Sequence, residues 1–367
     1  MYGKSETYQR DLENALRGTI HIEALFHKSI LITGATGLIG SFLTDLLLYA
    51  NRTRDAGIRI YALARDERRL WQRFAAAAAA GGLRPVIQDV TEPARLPEPV
   101  DYMIHAAGDG YPAAFRTHPV ETMTSALFGT YRLLEYARAH AVEKPLRQFL
   151  FVSSGEVYGN MTGVCRAFAE NDCGDADSMQ VRSCYPMAKR CAETLCVSFW
   201  EQYRIPVVIA RPGHVYGACT TAHDNRATVQ FLHSASAGED IILHSAGEQL
   251  RSYTYVADCA SALLTVLLNG ETGTTYNIAN RESRVTIAEF AAILAKESGV
   301  GCMRKEPDET GKKELTPIAR AVLDAARLEG LGWKGQYDIR RGIRAMLAAE
   351  KYRKGVGLSC IVGRDDR

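Results

Sequence analysis

The sequence predicts an α/β protein built on a parallel sheet with helices on both faces. Short apolar runs alternate with helical stretches through the first two-thirds of the chain. The first of these runs leads straight into three glycines at fixed spacing and then an apolar helix. Of the 367 residues, 47% are hydrophobic and 23% charged, enough apolar mass to bury a large core.

Residues 1–29 read as an N-terminal extension packed on the body, helical around 12–16 and without chemistry of its own. Residues 30–33 form the first strand, 34–40 the glycine turn and 41–49 a helix. Strands follow at 58–64, 84–87, 102–105, 148–153 and 206–210, with helices at 119–140 and 185–203 among them. The alanine tract 75–80 is the end of a helix stopped by Gly81-Gly82. Beyond 211 the pattern loosens, with a strand at 241–245 and a helix at 256–268 that returns to the main body. An amphipathic helix at 286–298 carries Ile287, Phe290, Ile293 and Leu294 on one face. Residues 355–367 read as a loose tail.

Charge and cysteine usage exclude several classes. With 44 Lys+Arg against 42 Asp+Glu the net charge is +2, too little for duplex binding through bulk counterion release. Residues 1–17 are studded with charge and read against a signal peptide, and no apolar run is long enough to span a bilayer. Nine cysteines, scattered without paired metal-ligand spacing, read as reduced thiols of a cytoplasmic protein with no metal site. Cys184 among them reads as a small buried hydrophobe.

Gly34-x-x-Gly37-x-x-Gly40 stands where spaced glycines carry meaning, directly after a strand and opening a helix. A tight turn, a close backbone approach to a pyrophosphate and free helix N-terminal amides are the expected consequence. The second strand ends Ala64-Arg65-Asp66. Arg65 can stack on adenine or bind a 2′-phosphate, Asp66 can reach the ribose 2′-hydroxyl, and the two can equally form a solvated charge pair. NAD is the expected cofactor, with NADP not excluded.

Tyr185 and Lys189 lie four apart on a predicted helix and share a face. An ammonium and a positive nicotinamide beside a phenol favour the phenolate, which can take a proton from a sugar hydroxyl. By itself the pair is most often a surface tyrosine beside a lysine. Its place after a strand ending Ser153-Ser154, two elements beyond the glycine turn, sets it apart.

With His105-Ala106-Ala107-Gly108, Ser153-Ser154-Gly155-Glu156-Val157-Tyr158-Gly159, residues 210–217, Arg251-Ser252-Tyr253-x-Tyr255-Val256-x-Asp258 and Leu331-Gly332-Trp333, these motifs resemble the extended short-chain dehydrogenase/reductase family. They look most like its nucleotide-sugar epimerase/dehydratase/decarboxylase branch, from about residue 29 to 350. The resemblance implies a doubly wound (Rossmann) NAD-binding domain at 30–211, to which 241–275 returns. A smaller nucleotide-sugar-binding domain at 212–350 and a tail at 351–367 complete the division.

It also implies roles. Ser154 orients the sugar oxygen, Tyr185 is the base, and Lys189 holds the nicotinamide ribose and tunes the tyrosine. Gly34, Thr36, Gly37, Leu38 and Ile39 line the pyrophosphate, while Arg65, Asp89 and Val90 lie towards the adenosine. Ala106, Ala107 and Gly108 flank the cofactor, and His214, Arg251 and Arg320 face the substrate, although Arg320 reads equally well as a surface arginine. His214 and Ala126 stand where the family has asparagine. A homodimer through the helices at 119–140 and 185–203 is implied as well.

The reaction turns on Ser154-Gly155-Glu156. Members that dehydrate place Thr-Asp-Glu there, and glycine cannot donate the proton a departing hydroxyl needs. A decarboxylase needs only the glutamate, because CO2 leaves a β-keto acid without protonation. His118-Pro119-Val120-Glu121-Thr122 and Lys189-Arg190-x-Ala192-Glu193-Thr194-Leu195 also resemble UDP-glucuronate decarboxylases. A 4-epimerase, a 4,6-dehydratase and a non-catalytic NAD(P)-sensing protein on the same fold are the alternatives.

Overall fold

The computed structural model describes residues 5–161, 163, 166–218, 220, 224–305 and 318–355. Helix α1 (Glu6–Gly18) starts the chain, with Ser5 capping its N-terminus. Strand β1 (Ser29–Thr33), wholly buried, leads through the glycine turn into α2 (Leu38–Arg54). Then come β2 (Arg59–Ala64), α3 (Glu67–Ala79), β3 (Leu83–Ile87), β4 (Tyr102–His105), the short α4 (Pro112–Thr117), α5 (Pro119–Ala139), β5 (Gln148–Val152), α6 (Cys184–Tyr203) and β6 (Val207–Pro212). The remainder holds β7 (His214–Tyr216), α7 (Ala227–Ala237), β8 (Ile241–Leu243), β9 (Leu250–Tyr255), α8 (Val256–Asn269), β10 (Thr275–Ile278), β11 (Arg284–Thr286), α9 (Ile287–Ser298), β12 (Cys302–Arg304) and β13 (Arg320–Ala321). Two helices, Ala326–Glu329 and Ile339–Gly355, end the described chain.

Seven strands pair in the order β10-β6-β5-β4-β1-β2-β3, and every pairing is parallel. Burial on both faces explains the near-continuous apolar strand sequences. Phe149 and Phe151 on β5 are fully buried on the α5–α6 face, and burying a side chain of that size contributes about 1.5–3 kcal/mol. On the other face α8 is buried along nearly its whole length, and α1 and α2 pack on it. The order reverses between β1 and β4, so the carboxyl ends of those two strands open the crevice in which ligands bind in this architecture.

The expected elements recur with shifted bounds, and some expectations are corrected. The chain re-enters the large sheet only through α8 and β10, not from residue 241. The edge beside β6 is taken by β10, and β8 pairs instead with β12. A separate sheet of β11, β9 and β13, with β7 on β9, joins strands of two to six residues that are far apart in the chain. Residues 351–355 continue the last helix, and 356–367 lie outside the described residues. The extension is locked to the core through Asp11, whose carboxylate accepts from the hydroxyls of Tyr255 and Tyr337 at 2.7 Å each. No helix among the described residues is long and apolar enough to cross a membrane.

Candidate active site

The glycine turn walls a cleft of about 440 Å³ that also takes in the ends of β4 and β5, the start of α6 and the strands of the small sheet. Gly34 leaves β1 at φ +67°, where a Cβ would sit 2.6 Å from the Ala106 carbonyl oxygen. At Gly40 a Cβ would run into the Gly34 carbonyl oxygen. Gly37 is the N-cap of α2 and no side chain caps it, so the first-turn amides face the cleft free to bind an anion.

Opposite this turn, β5 ends at Val152 and Ser153-Ser154 enter a single 3-10 turn, Gly155–Tyr158. The Ser154 hydroxyl oxygen accepts the Glu156 amide at 3.1 Å, fixing the loop. Tyr185 opens α6 with its ring stacked on Phe115 of α4, the centroids 4.5 Å apart and the planes at 19°. One turn on, Lys189 donates to the Val152 carbonyl oxygen at 2.8 Å, and its ammonium lies 5.8 Å from the Tyr185 ring centroid. Ser154, Tyr185 and Lys189 thus converge on one spot in the cleft.

The electrostatics are those of a resting base. Burial and the Glu156 carboxylate push the Tyr185 phenol up to about 12, against a hydrogen bond from Ser154 and the charges of Arg226 and Arg182, which favour the phenolate. Burial lowers the Lys189 ammonium to about 8, with the Glu193 carboxylate opposing it. His214, in the same cleft, is lowered to about 3 by burial and by Arg251 and Arg226, so it stands neutral.

Of the residues singled out from sequence, Gly34, Gly37, Leu38, Ile39, Ala106 and Gly108 line the cofactor side of the cleft. Ser154, Glu156, Tyr185, Lys189, His214 and Arg251 line the rest. Thr36 lies within the glycine turn but not on the cleft. Ala107 is held back by its amide, which donates to Thr33 Oγ1 at 3.2 Å. Arg65, Asp89 and Val90 stand at the carboxyl ends of β2 and β3, outside the cleft, with the Arg65 charge felt at Asp89. Asp89 itself accepts from the Thr91 amide and hydroxyl.

Asp66 is the N-cap of α3, its Oδ1 accepting the Arg69 amide at 2.9 Å. One expectation is corrected. Arg320 is not on the cleft, because Ala321 is, and successive residues of a strand face opposite sides. Arg320 instead lies near Arg284, whose guanidinium feels its charge. Sequence reasoning missed Phe115, Arg182 and the Asp224–Arg226 pair. Arg182, three residues before Tyr185, becomes notable only once Val181–Ser183 is known to be the turn that feeds α6.

The model of the NAD dependent epimerase/dehydratase family matches residues 30–279. The chain belongs to that family. UDP-glucuronic acid decarboxylase 6 of Arabidopsis thaliana is 29% identical over 96% of this chain and 97% of its own length. The dTDP-glucose 4,6-dehydratase of Streptomyces venezuelae, solved with NAD bound, superposes with a TM-score of 0.75 at 21% identity, covering 89% of this chain and 98% of that one. A UDP-glucuronic acid 4-epimerase from Bacillus cereus, solved with NAD, gives 0.74 at 20% identity, covering 88% and 99%.

The family's cofactor is NAD, and the cradle fits it. Gly34 and Gly40 leave room only for backbone, and the uncapped α2 N-terminus supplies amides for a pyrophosphate. Gly40→Ala forces the turn against Gly34 and should weaken NAD binding at least about tenfold. Calorimetric titration with NAD measures it, and wild-type affinity in the variant would remove the cradle assignment.

Proposed function

We propose that the protein decarboxylates UDP-glucuronate to the UDP-pentose, by oxidation at C4 and loss of C6 as CO2. The observation that carries this reading is the Ser154-Gly155-Glu156 turn facing Tyr185 and Lys189. It offers a base for the C4 hydroxyl and a carboxylate beside it, with no acid at position 155. A Cβ at Gly155 would lie 3.2 Å from Leu323 Cδ1 and 3.4 Å from the Pro212 carbonyl oxygen, so that space is already largely filled. The full-length match to an Arabidopsis protein of that name supports the choice.

NAD held in the glycine cradle would supply the reversible acceptor for the C4 hydride. Tyr185 takes the C4 hydroxyl proton on its phenolate oxygen and gives it back at the end, while Ser154 orients that hydroxyl. With C4 a ketone, the C5–C6 bond breaks, its electron pair passes into the C4–C5 enolate, CO2 leaves and C5 takes a proton. His214, Arg251 and the small sheet serve the nucleotide side. Incubating the NAD-loaded protein with UDP-glucuronate should yield CO2 and a product lighter by its mass. An unchanged mass with inverted C4 would instead establish an epimerase, and loss of water a dehydratase.

The same reading pairs two copies of the chain through α5 and α6. Val120, Met123, Phe128 and Tyr131 are exposed along α5, and Val197 on α6, an apolar face of the kind that marks an interface. Phe128→Glu should convert a dimer to a monomer by light scattering, and an unchanged mass would remove this interface. Six free cysteines among the described residues support a reducing, cytoplasmic setting.

A further inference from the structure

We infer that Arg182 is the residue by which the cleft selects a sugar bearing a carboxylate at C6, its guanidinium bridging Glu156 and that carboxylate when substrate binds. The inference rests on the uronate reading above and names the side chain that sets its specificity.

Arg182, Lys189, Arg226 and Arg251 are the cleft's arginines and lysines among the described residues. Three of them are committed elsewhere. Lys189 is bonded to the Val152 carbonyl under Tyr185. Arg226 is clamped by both Asp224 oxygens and donates to the Val215 carbonyl oxygen. Arg251 donates to the carbonyl oxygens of Leu250 and Ile318. Arg182 is the most exposed of the four and pairs with the glutamate of the Ser154 loop: its Nη2 donates to the two Glu156 oxygens at 3.0 and 3.2 Å. Both bonds use one nitrogen, so the guanidinium keeps N–H groups for a second carboxylate.

The pair is open to a third group. The side chains are 35% and 23% exposed, and an ion pair so open to water contributes little to stability. The position of Arg182 is nonetheless held, because its guanidinium rests 4.8 Å from the Phe115 ring centroid, and Phe115 is stacked on Tyr185. The cation therefore stands one ring away from the base that works on C4, and C6 is two bonds from C4.

Charge supplies the selection. A uronate carboxylate entering this space meets Glu156, and two carboxylates at close range repel unless a cation lies between them. A hydroxymethyl sugar needs no such cation.

The test titrates NAD-loaded wild type, Arg182→Gln and Arg182→Lys with UDP, UDP-glucose and UDP-glucuronate by calorimetry. Arg182→Gln should bind UDP-glucuronate at least about tenfold more weakly, with UDP and UDP-glucose within about twofold of wild type, and Arg182→Lys should recover part of the loss. Unchanged UDP binding shows that the variant is folded. Equal losses for both sugars, or none, overturn the inference. Wild type that prefers the uronate through Arg182 yet releases no CO2 overturns the decarboxylase reading alone. Wild type that releases CO2, with an Arg182→Gln variant of unchanged KM, overturns this inference alone.

Discussion

Replacing Tyr185 by Phe lowers turnover about a thousandfold and leaves the fold and NAD binding in place, within the range that positioned acid–base groups contribute. Phe keeps the stack on Phe115 and fills the same volume, so only the phenol oxygen is lost. The pH dependence carries a sign. The cofactor-free phenol is held at about 12 by burial and by Glu156, and a base works only when deprotonated, so the rate rises with pH while the phenol titrates. A positive nicotinamide ring brings that titration down. The rise should turn over as Lys189, itself lowered to about 8, gives up its charge. Difference absorbance of tyrosinate, wild type minus variant, should show one phenol titrating lower with NAD than without. A variant retaining a tenth of wild-type turnover would remove Tyr185 as the base.

The parts of this site that sequence disclosed are local ones. A strand buried on both faces, a glycine every third residue and a tyrosine four before a lysine are each written within a few positions. The parts it hid depend on the chain folding back. Glu156 and Arg182 are joined across an intervening loop, and Phe115 comes from a short helix in a stretch without clear periodicity. The strands of the small sheet are mostly two or three residues long and pair through β9, so alternation had too little length to show. Asp66 was legible as a charge at a strand end, but its part as the N-cap of α3 shows only once the amide three residues on is seen to bond its Oδ1. His105 stands in a family motif but serves the fold. It is fully buried against the Thr33 hydroxyl at 2.8 Å and held at about 3, mainly by burial.

Arg211→Leu should destabilise the protein by about 3–5 kcal/mol, the cost of stranding a buried charge. Glu193 lies on α6 one turn beyond Lys189, buried, and accepts from Arg211 through Nη2 at 2.6 Å and Nε at 2.9 Å. Ser153 Oγ donates to the same carboxylate at 2.5 Å. Arg211 Nη1 continues to the Tyr158 hydroxyl and the Glu170 carbonyl oxygen, and Tyr158 donates to Asn277 Oδ1 at 2.6 Å. One network therefore ties α6, β6, β10 and the loop after β5 together directly behind Ser154 and Lys189. Removing the arginine leaves Glu193 buried without its cation. Removing both, as Arg211→Leu with Glu193→Leu, should recover much of the loss, and denaturant unfolding of the two singles and the double measures the coupling. A single-variant loss below about 1 kcal/mol would place the pair among weak surface bridges and sink the argument. Glu193→Gln has a second readout that a purely structural role would not move. The Glu193 charge holds Lys189 up against burial, so its removal lets the ammonium fall below about 8. The descending limb of the pH–rate profile should then shift to lower pH, because the charge that favours the Tyr185 phenolate is lost earlier as pH rises.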